Sequence, residues 1–310
     1  MTPSLLSTPM RYFLEVAQAG SVNQAAARLF VAASAVSRQI AKLEGSLGTP
    51  LFDRSARGMV LTAAGLRLAG HLRLAALDAD QVLQQVLHLG GQAAGRVRLA
   101  CTEGFAAGFV AGWVLDFQDA QPGCQIELLV GAPDQVAQWL LRGEADIGLK
   151  YAMSPDAGLR VEHAAQAPVL AVMTPDHPLA QVRTVALADV VAYPLMVGSV
   201  GMTARQLFDL ACSARGLRYE PLFVSNFSSV MLPLLRSPQV LLSGRLTVVH
   251  WLARGAVVAR PFDDAMLGQR RLEVLSLQGR TLPALVATFL QALVEAVEAA
   301  AAPPVSPPCA

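Results

Sequence analysis

The chain has 310 residues, which is enough for two or three domains with complete hydrophobic cores. Although 54% of the residues are hydrophobic, no uncharged run is longer than 15 residues, so a bilayer-spanning helix of about 20 residues is not expected. The chain begins without a recognisable secretory signal, and its four cysteines are widely spaced, which predicts reduced thiols rather than a zinc site or disulfides. A cytoplasmic protein without a membrane partner is the expectation.

The net charge of +1 conceals an uneven distribution along the chain. Residues 1–90 hold more basic than acidic side chains, whereas the remainder carries a small net negative charge. A basic N-terminal module joined to a larger, nearly neutral part suggests that the first module has a polyanionic partner.

Two short helices joined by a tight turn, within residues 21–47, dominate the N-terminal module. A first helix is predicted over Thr8–Ala19 and a second over Val22–Leu29, which is rich in alanine and allows a third helix to cross it closely. Residues 31–33 form the turn before that third helix. The predicted caps and stops are Gly20, Ser21, Ser34 and Gly48.

The third helix has one apolar and one polar side. Its apolar residues recur at spacings that place them in a single stripe. The opposite side offers hydroxyl, guanidinium and ammonium groups among small residues, as a helix needs to enter the major groove of DNA. An ordinary surface helix also has a polar exposed side, so this helix alone leaves both interpretations open. The stripe is Val36, Ile40, Leu43 and Leu47, and the polar side is Ser34, Arg38, Ala41 and Lys42.

The next segment, LFDRSARGMVLT, predicts a small two-stranded ribbon. Residues 51–52 would pair with residues 59–61, with Arg54, Arg57 and Gly58 at the tip. Basic residues on a ribbon beside a helix-turn-helix form a wing that reaches the DNA backbone or the minor groove. A solvated hairpin tip is the alternative, which two arginines beside a glycine disfavour.

Thr62 is expected to cap a long helix that runs to about Leu89. Apolar residues alternate spacings of four and three along it, a pattern typical of a coiled coil. Packing against a second copy would bury this stripe economically, so the sequence predicts a dimer; packing onto its own domain is the alternative. The predicted dimer seam is Leu68, Leu72, Ala75, Ala79, Val82, Val86 and Leu89.

After Gly95 the pattern changes to strands that alternate with helices, followed by a closing helix over residues 282–300. This alternation predicts mainly parallel sheets covered by helices. The Pro-rich tail is expected to be disordered. Strands are predicted around residues 96–99, 125–130, 145–149, 168–173, 195–197, 239–243, 257–258 and 272–277.

Residues 10–67 resemble the winged helix-turn-helix of LysR-type transcriptional regulators, because they match the pattern AA..L..S..A.S.QI..LE..LG..LF.R..RG..LT.AG almost throughout. The departure is at VAASAVS, where many members have Gln-Pro and this chain has Ala33-Ser34. That change removes a side chain that often reaches bases, so the family's target sequence is not carried over. The resemblance implies that the DNA-binding residues are Ser34, Ser37, Arg38, Gln39 and Lys42 on the helix, and Arg54 and Arg57 on the wing.

The remainder, including RGEAD at 142–146 and TPDHPLA at 174–180, resembles the effector-binding domain of the same family, which is similar to periplasmic binding proteins. The expected fold is α/β overall, with a winged helix-turn-helix, a linker helix and a C-terminal two-lobed domain. The resemblance implies the following bounds: DNA-binding domain 1–61, linker (dimerisation) helix 62–90, lobe one 95–166 with 267–300, lobe two 167–266, and disordered tail 301–310.

Ligands of such domains lie at the carboxyl ends of strands, where helix N-termini direct amides into the crevice. The segments CTEGF (101–105) and GSVGMT (198–203) fit this position and would suit a carboxylate-bearing metabolite. Glu103 would repel an anion, so an amine, a protonated group or an outward orientation of Glu103 is considered too. Tyr151 and Ser229 are further candidates by resemblance. The predicted effector site is Thr102, Glu103, Gly104, Phe105, Lys150, Ser199, Thr203, Asn226 and Ser228.

The resemblance therefore implies a ligand-responsive transcriptional regulator that binds inverted-repeat operator DNA as a dimer or tetramer. Closure of the cleft around a small-molecule effector would favour one spacing of the DNA-binding heads, a shift between pre-existing arrangements. This shift would alter DNA bending or a contact with RNA polymerase. No cofactor or metal is expected.

Two other functions and one variant of the regulator are considered. An enzyme is suggested by Asp176 next to His177, but GxGxxG, P-loop, HExxH and GxSxG motifs are missing, and Ser243 precedes a glycine without a nucleophile elbow. A solute-binding module that does not touch DNA is opposed by the wing. Redox sensing by the regulator itself is disfavoured, because lobe two contains only Cys212, while Cys101 and Cys124 lie in different strand regions.

Overall fold

A computed structural model describes residues 5–55, 58–87 and 95–301. The described residues form two compact units. The N-terminal unit holds those up to residue 87 together with Gly279–Pro283, and the C-terminal unit holds 95–278 and 284–301. The expected tail (301–310), Leu89 and Arg57 fall outside the described residues, except that Ala301 ends a helix.

The N-terminal unit contains three short helices, a ribbon and a long helix around one apolar core. The two helices predicted first are confirmed residue for residue, and the left-handed glycines Gly20 and Gly48 end α1 and α3 as expected. The elements are α1 (Thr8–Ala19), α2 (Val22–Leu29), α3 (Ala33–Leu47), β1 (Phe52–Ser55), β2 (Gly58–Leu61) and α4 (Ala63–Leu87).

Two of the three expected caps are corrected by the structure. Thr62 does cap α4, since its Oγ1 accepts a hydrogen bond from the Gly65 amide at 3.0 Å. Ser21 stands before α2, but its side chain makes no capping hydrogen bond. Ser34 lies inside α3, because the helix begins at Ala33, two residues earlier than predicted, and Ala32, which has no side-chain acceptor, occupies the N-cap.

The apolar stripe of α3 is shorter than predicted. Val36 and Ile40 are fully buried and Leu43 packs against the same core, but Leu47 is 52% exposed. Leu47 is the last helical residue, and the chain turns away at Gly48 before the core closes over it. The ribbon forms as expected, with Phe52 opposite Leu61 and Arg54 opposite Met59.

The C-terminal unit contains two five-stranded sheets, which build what we call lobe one and lobe two. In lobe one the strand order is β4-β3-β5-β12-β6, and in lobe two it is β11-β7-β10-β8-β9. The strands are β3 (Arg96–Cys101), β4 (Gln125–Val130), β5 (Ile147–Ala152), β6 (Leu159–Gln166), β7 (Leu170–Met173), β8 (Leu195–Gly198), β9 (Pro221–Ser225), β10 (Val240–Ser243), β11 (Val258–Pro261) and β12 (Arg271–Leu277).

The sheets are mixed, which corrects the expectation that they are mainly parallel. In lobe one β3 is parallel to β4 and β5, but β12 is antiparallel to both of its neighbours. In lobe two β7 is antiparallel to β10 and β11. The strands β7 and β12 each follow a segment in which the chain passes from one lobe to the other, residues 167–169 and 262–270. No helical crossover within one sheet sets the direction of these two strands. The sequence interpretation also missed β6 and β9.

Helices cover both sheets. A continuous helical segment follows β3: α5 (Glu103–Phe105), a π-helical turn (Ala106–Val110) and α6 (Ala111–Ala120). The others are α7 (Pro133–Arg142), α8 (Leu187–Val191), α9 (Thr203–Ala214), α10 (Ser228–Met231), α11 (Val249–Ala253) and α12 (Ala284–Ala301), together with short 3-10 turns at Pro178–Gln181, Leu232–Leu234 and Ala265–Gly268.

The closing helix α12 is long and apolar enough to meet the length and composition of a membrane span. One stripe of it nevertheless belongs to the core of lobe one. Val286, Phe289, Leu293 and Val297 are buried, and the Phe289 ring packs edge-on against Trp113 and Phe117. These contacts are those of a helix that covers a sheet.

Candidate functional sites

The exposed face of α3 is basic. Ser34, Arg38 and Lys42 lie one helical turn apart and are exposed, while Ser37 and Gln39 beside them are half-buried. Among the described residues, neither Arg38 nor Lys42 forms an ion pair. Both cations are thus available to a polyanion, on a helix whose opposite face is buried.

The acidic residue of α3, Glu44, does not pair with the basic side chains on its exposed face. The Glu44 carboxylate accepts hydrogen bonds from the Leu51 and Phe52 amides at 2.8 and 3.2 Å. It therefore joins α3 to the first strand of the ribbon. The contact fixes the wing relative to the helix and leaves Arg38 without an acidic partner in the described part of the chain.

The wing is held against the turn that follows α1. The Met59 amide donates to the Gly20 carbonyl at 2.9 Å. Gly58 has a positive φ of 108°, and a Cβ at this position would collide with the same carbonyl, so only glycine permits this approach. Arg54 is exposed on β1 as the prediction requires, whereas Arg57 is not described.

An aromatic side chain stands free in the turn between α2 and α3. Phe30 is 94% exposed and has a left-handed φ of 56°, which glycine or asparagine adopts more readily than a bulky residue. Its conformation ends α2 and redirects the chain into α3. The sequence interpretation did not single out this residue.

The predicted dimer seam on α4 divides into two parts. Leu72 is buried and Leu68 packs beside it in the core of the N-terminal unit, so these two positions serve their own domain. Ala75 and Ala79 are half-buried, whereas Val82 and Val86 are 49% and 56% exposed. The part of the seam that a second copy would cover is therefore the C-terminal half of α4.

The C-terminal unit contains a cavity of about 450 Å³ between its lobes. Lobe one contributes the start of α5, residues 130–135 and Tyr151, and lobe two contributes residues 198–204, 226–228, 242–244 and Thr247. Of the residues predicted for an effector site, Thr102, Glu103, Gly104, Ser199, Thr203, Asn226 and Ser228 line this cavity.

Two of the predicted residues do not reach the cavity. Lys150 is buried on β5 and forms an ion pair with Asp156 at 2.6 Å, because strand alternation turns it to the face opposite Tyr151. Phe105 is fully buried, with its ring 4.3 Å from that of Tyr151, and so supports the cavity wall from behind.

Glu103 joins the two lobes. Its carboxylate oxygens accept hydrogen bonds from the Ser228 and Ser229 amides at 2.6 and 3.0 Å. These amides open α10 in lobe two, and they satisfy a carboxylate that starts α5 in lobe one. The orientation of Glu103, which the sequence left open, is thus toward the opposite lobe.

The cavity floor includes residues that the sequence interpretation did not assign to the site. Arg270 is 2% exposed, and its guanidinium lies 4.0 Å from the centre of the Tyr151 ring. Burial lowers the pKa of Arg270 and raises that of Tyr151. Thr247 and Ser243 add buried hydroxyls. Arg270 has no sequence signal that separates it from the exposed Arg271 beside it.

The alternative chemistries find little support in the geometry. His177 is buried, and both of its ring nitrogens contact backbone atoms, with the Leu179 amide at 3.0 Å and the Pro238 carbonyl at 3.1 Å. Burial raises the pKa of the Cys101 thiol to about 12 and of the Cys212 thiol to about 11, which disfavours the reactive thiolate. No cluster of metal-binding side chains occurs in the described ranges.

Family models of known proteins match both the N-terminal and the C-terminal part of the chain. Residues 8–66 match the model of the bacterial regulatory helix-turn-helix proteins of the lysR family, and residues 90–298 match that of the LysR substrate binding domain. The transcriptional activator CmpR of Synechocystis sp. is 26% identical over 193 residues, which are 62% of this chain and 63% of CmpR. The nitrogen assimilation regulatory protein nac of Klebsiella aerogenes is 29% identical over 181 residues, 58% of this chain and 59% of nac.

Solved structures share the fold over nearly the whole chain. A cysteine variant of full-length OxyR from Pseudomonas aeruginosa superimposes with a TM-score of 0.61 at 18% identity and covers 94% of both chains. Full-length CbnR complexed with its target DNA superimposes with a TM-score of 0.52 at 19% identity and covers 93% of this chain and 98% of CbnR. The alignments with CmpR and nac span less than two thirds of those relatives. Since the substrate-domain model alone matches more than half of the residues, this chain belongs to the LysR family of bacterial transcriptional regulators.

Proposed function

We propose that this protein is a DNA-binding transcriptional regulator that acts in the cytoplasm, in which α3 enters the major groove and the wing contacts the adjacent backbone. The observation that carries the proposal is the row Ser34, Arg38 and Lys42, exposed and without an ion-pair partner among the described residues, on a helix whose other face is core. Ser37 and Gln39 would border the groove, with Arg54 and Arg57 on the wing. CbnR, which shares the fold, has been solved with its target DNA.

We further propose that the chain acts as a dimer or a tetramer on an inverted repeat, with residues 1–61 as the DNA-binding domain and 62–90 as the dimerisation helix. The exposed Val82 and Val86 support this proposal, because exposed apolar residues on one face of a helix gain stability when a second copy covers them. Two-fold symmetry of the protein would be mirrored in the operator.

The cavity between the lobes of residues 95–300 is the proposed effector site. Both lobes contribute to it, so a bound small molecule would bias how the lobes close. That bias, transmitted to the DNA-binding heads, would change DNA bending or the contact with RNA polymerase. No enzymatic step is involved.

Replacement of Arg38 by alanine tests the DNA-binding surface. The operator would first be identified by genome-wide footprinting in the native cell, and affinity then measured by titration of the purified protein at several salt concentrations. Loss of a base-edge contact costs about 1–3 kcal/mol, so we expect binding to weaken by about tenfold or more and to lose selectivity at one base position.

Two further variants make this test specific. Lys42→Ala should weaken binding to all sequences and lower the slope of log affinity against log salt by about 0.9, as expected for one lost phosphate contact. Arg218→Ala, at an exposed arginine of lobe two, should leave both quantities unchanged. Unaltered affinity and salt dependence in Arg38→Ala would contradict the assignment of α3 to the groove.

A further inference from the structure

The floor of the cavity holds a buried cation. Arg270 donates from Nε to the Ala167 carbonyl at 2.8 Å and from Nη2 to the Pro168 carbonyl at 3.0 Å. These acceptors are neutral, and no carboxylate among the described residues pairs with Arg270. A guanidinium in a buried site is costly unless an opposite charge compensates it. The cavity is the place from which such a charge can come.

A second feature of the same cavity also favours an anion. The 12-residue helix α9 begins at the cavity wall with Met202 at its N-cap, no side chain caps it, and its first turn contains no acid. Such an N-terminus carries partial positive charge and amide donors that suit a negative group. Ser199 and Thr203 add hydroxyls beside it.

The acids that line the cavity do not offset these features. Glu103 is already held by the Ser228 and Ser229 amides, so α10 is occupied by the protein's own carboxylate. Asp134 is exposed in the first turn of α7, where the N-terminus of that helix stabilises it. Among the described residues that line the cavity, the N-terminus of α9 and the guanidinium of Arg270 therefore have no acidic partner.

The remaining walls are largely apolar. Val130, Met202, Phe227, Met231 and Leu242 line the cavity, and its volume of about 450 Å³ lies within the range typical of small-molecule sites, about 300–1,000 Å³. A ligand that satisfies the site therefore combines an apolar body with one or more negative groups.

We propose that the effector is a small organic carboxylate with an apolar body, recognised by Arg270 and by the N-terminus of α9. This proposal rests on the proposed function of the cavity as the effector site. It assigns roles to Arg270, Thr247 and Tyr151: Arg270 supplies charge, Thr247 a hydroxyl, and Tyr151 positions the guanidinium from below. Amines and neutral analogues are predicted to be rejected.

Matched ligands test the proposed class with the purified full-length protein. The probes are benzoate, benzamide and benzylamine, then hexanoate, hexanamide and hexylamine, and finally the dicarboxylates succinate and adipate. Thermal denaturation and calorimetric titration would measure binding. We expect at least one carboxylate to bind about tenfold or more tightly than its amide and its amine, since a hydrogen bond to a charged group in a buried site is stronger than one between neutral groups.

A matched pair of variants locates the site without removing a buried side chain. Thr203→Asp places a carboxylate in the first turn of α9, where it stabilises the helix but repels an anionic ligand. We expect this variant to keep its melting temperature and lose about tenfold or more in carboxylate affinity, while the uncharged Thr203→Asn, which removes the same hydroxyl without adding a charge, loses severalfold less. As a separate variant, Arg270→Lys, which keeps the charge but not the planar fork of hydrogen-bond donors, should also weaken carboxylate binding relative to the wild type.

The outcomes separate the ligand class from the function. Equal affinity for carboxylates and amides, preference for amines, no binding by any carboxylate probe, or unchanged affinity in Thr203→Asp would each overturn the proposed class. Operator binding by the wild type and by Thr203→Asp, followed in parallel, reports on the proposed function instead. If that binding is present while carboxylate selectivity is missing, only the ligand class fails.

Discussion

His177 shows how a single buried side chain ties local structure to pH. It occupies the N-cap of the 3-10 turn Pro178–Gln181, where Nδ1 accepts from the Leu179 amide and Nε2, carrying the proton, donates to the Pro238 carbonyl. The Tyr193 ring packs edge-on against it at 4.6 Å. Burial lowers the pKa of His177, and the Pro238 carbonyl and Asp176 oppose this shift only in part. The neutral imidazole is the form that fits.

This arrangement predicts a loss of stability in acid. Because the pKa is lower in the folded than in the unfolded chain, the stabilising effect is complete above the unfolded value of about 6.5 and declines as pH falls below it. His177→Asn keeps an acceptor for the Leu179 amide but does not titrate. We expect a flatter dependence of unfolding free energy on pH between about 5 and 7 in this variant, measured by urea denaturation.

The control for this prediction is His250→Asn, at an exposed histidine on α11 of the same lobe. It should retain the pH dependence of the wild type. If His177→Asn and the wild type lose stability in parallel, protonation of His177 is not a source of the acid sensitivity.

At the scale of elements, α4 has two different roles. Its first half belongs to the core of the N-terminal unit through Leu68 and Leu72, and its second half exposes Val82 and Val86. A heptad pattern in the sequence does not distinguish these roles, because both give the same spacing of apolar residues. Only the position of the neighbouring helices decides which residues are already covered.

The double variant Val82→Asp, Val86→Asp tests the proposed dimer. Two carboxylates on the strip would be buried against those of the second copy, so we expect dissociation constants to rise about a hundredfold or more. Sedimentation equilibrium would measure the change. His71→Asp adds an acid at another exposed position of α4 and should leave association unchanged. A dimer of undiminished affinity in the double variant would place the interface elsewhere.

At the scale of the whole chain, the two lobes of the C-terminal unit are linked at the two places where the chain passes between them, residues 167–169 and 262–270. The crossover segments pair with each other, since the Ala167 amide donates to the Arg270 carbonyl and the Val169 amide to the Leu267 carbonyl, both at 2.9 Å. On the other side of the cavity, Glu103 holds the start of α10. The lobes are thus joined by covalent crossings and by a carboxylate that a substitution can remove.

Removal of that carboxylate should loosen the lobes. In Glu103→Ala the Ser228 and Ser229 amides lose a charged acceptor that contributes about 1.5–3 kcal/mol, so we expect their hydrogen exchange to accelerate by about tenfold or more. Peptide-resolved exchange measured by mass spectrometry would show this. Asp134→Ala, which removes an exposed acid from the same cavity, should leave the exchange of α10 unchanged. Protection that persists in Glu103→Ala would show that other contacts hold α10.

The sequence by itself determined the elements whose signals are local. The bounds of Thr8–Ala19, Val22–Leu29 and Gln125–Val130 agree with the sequence prediction to the residue, because side-chain periodicity, and for α1 the stop at Gly20, act within one element. The pattern of the winged helix-turn-helix likewise identified the row of Ser34, Arg38 and Lys42. Charge and spacing along one helix require no knowledge of distant residues.

Only the tertiary structure decided what depends on distant parts of the chain. The direction of β12, the turn of Lys150 away from the cavity and the contact of Glu103 with the opposite lobe all follow from neighbours that the local pattern does not reveal. Arg270 became part of a site because two crossovers bring it under the cavity. The sequence does not show which residue lies beside a given charge, because that depends on the fold. Among the described residues, no acid lies beside Arg270.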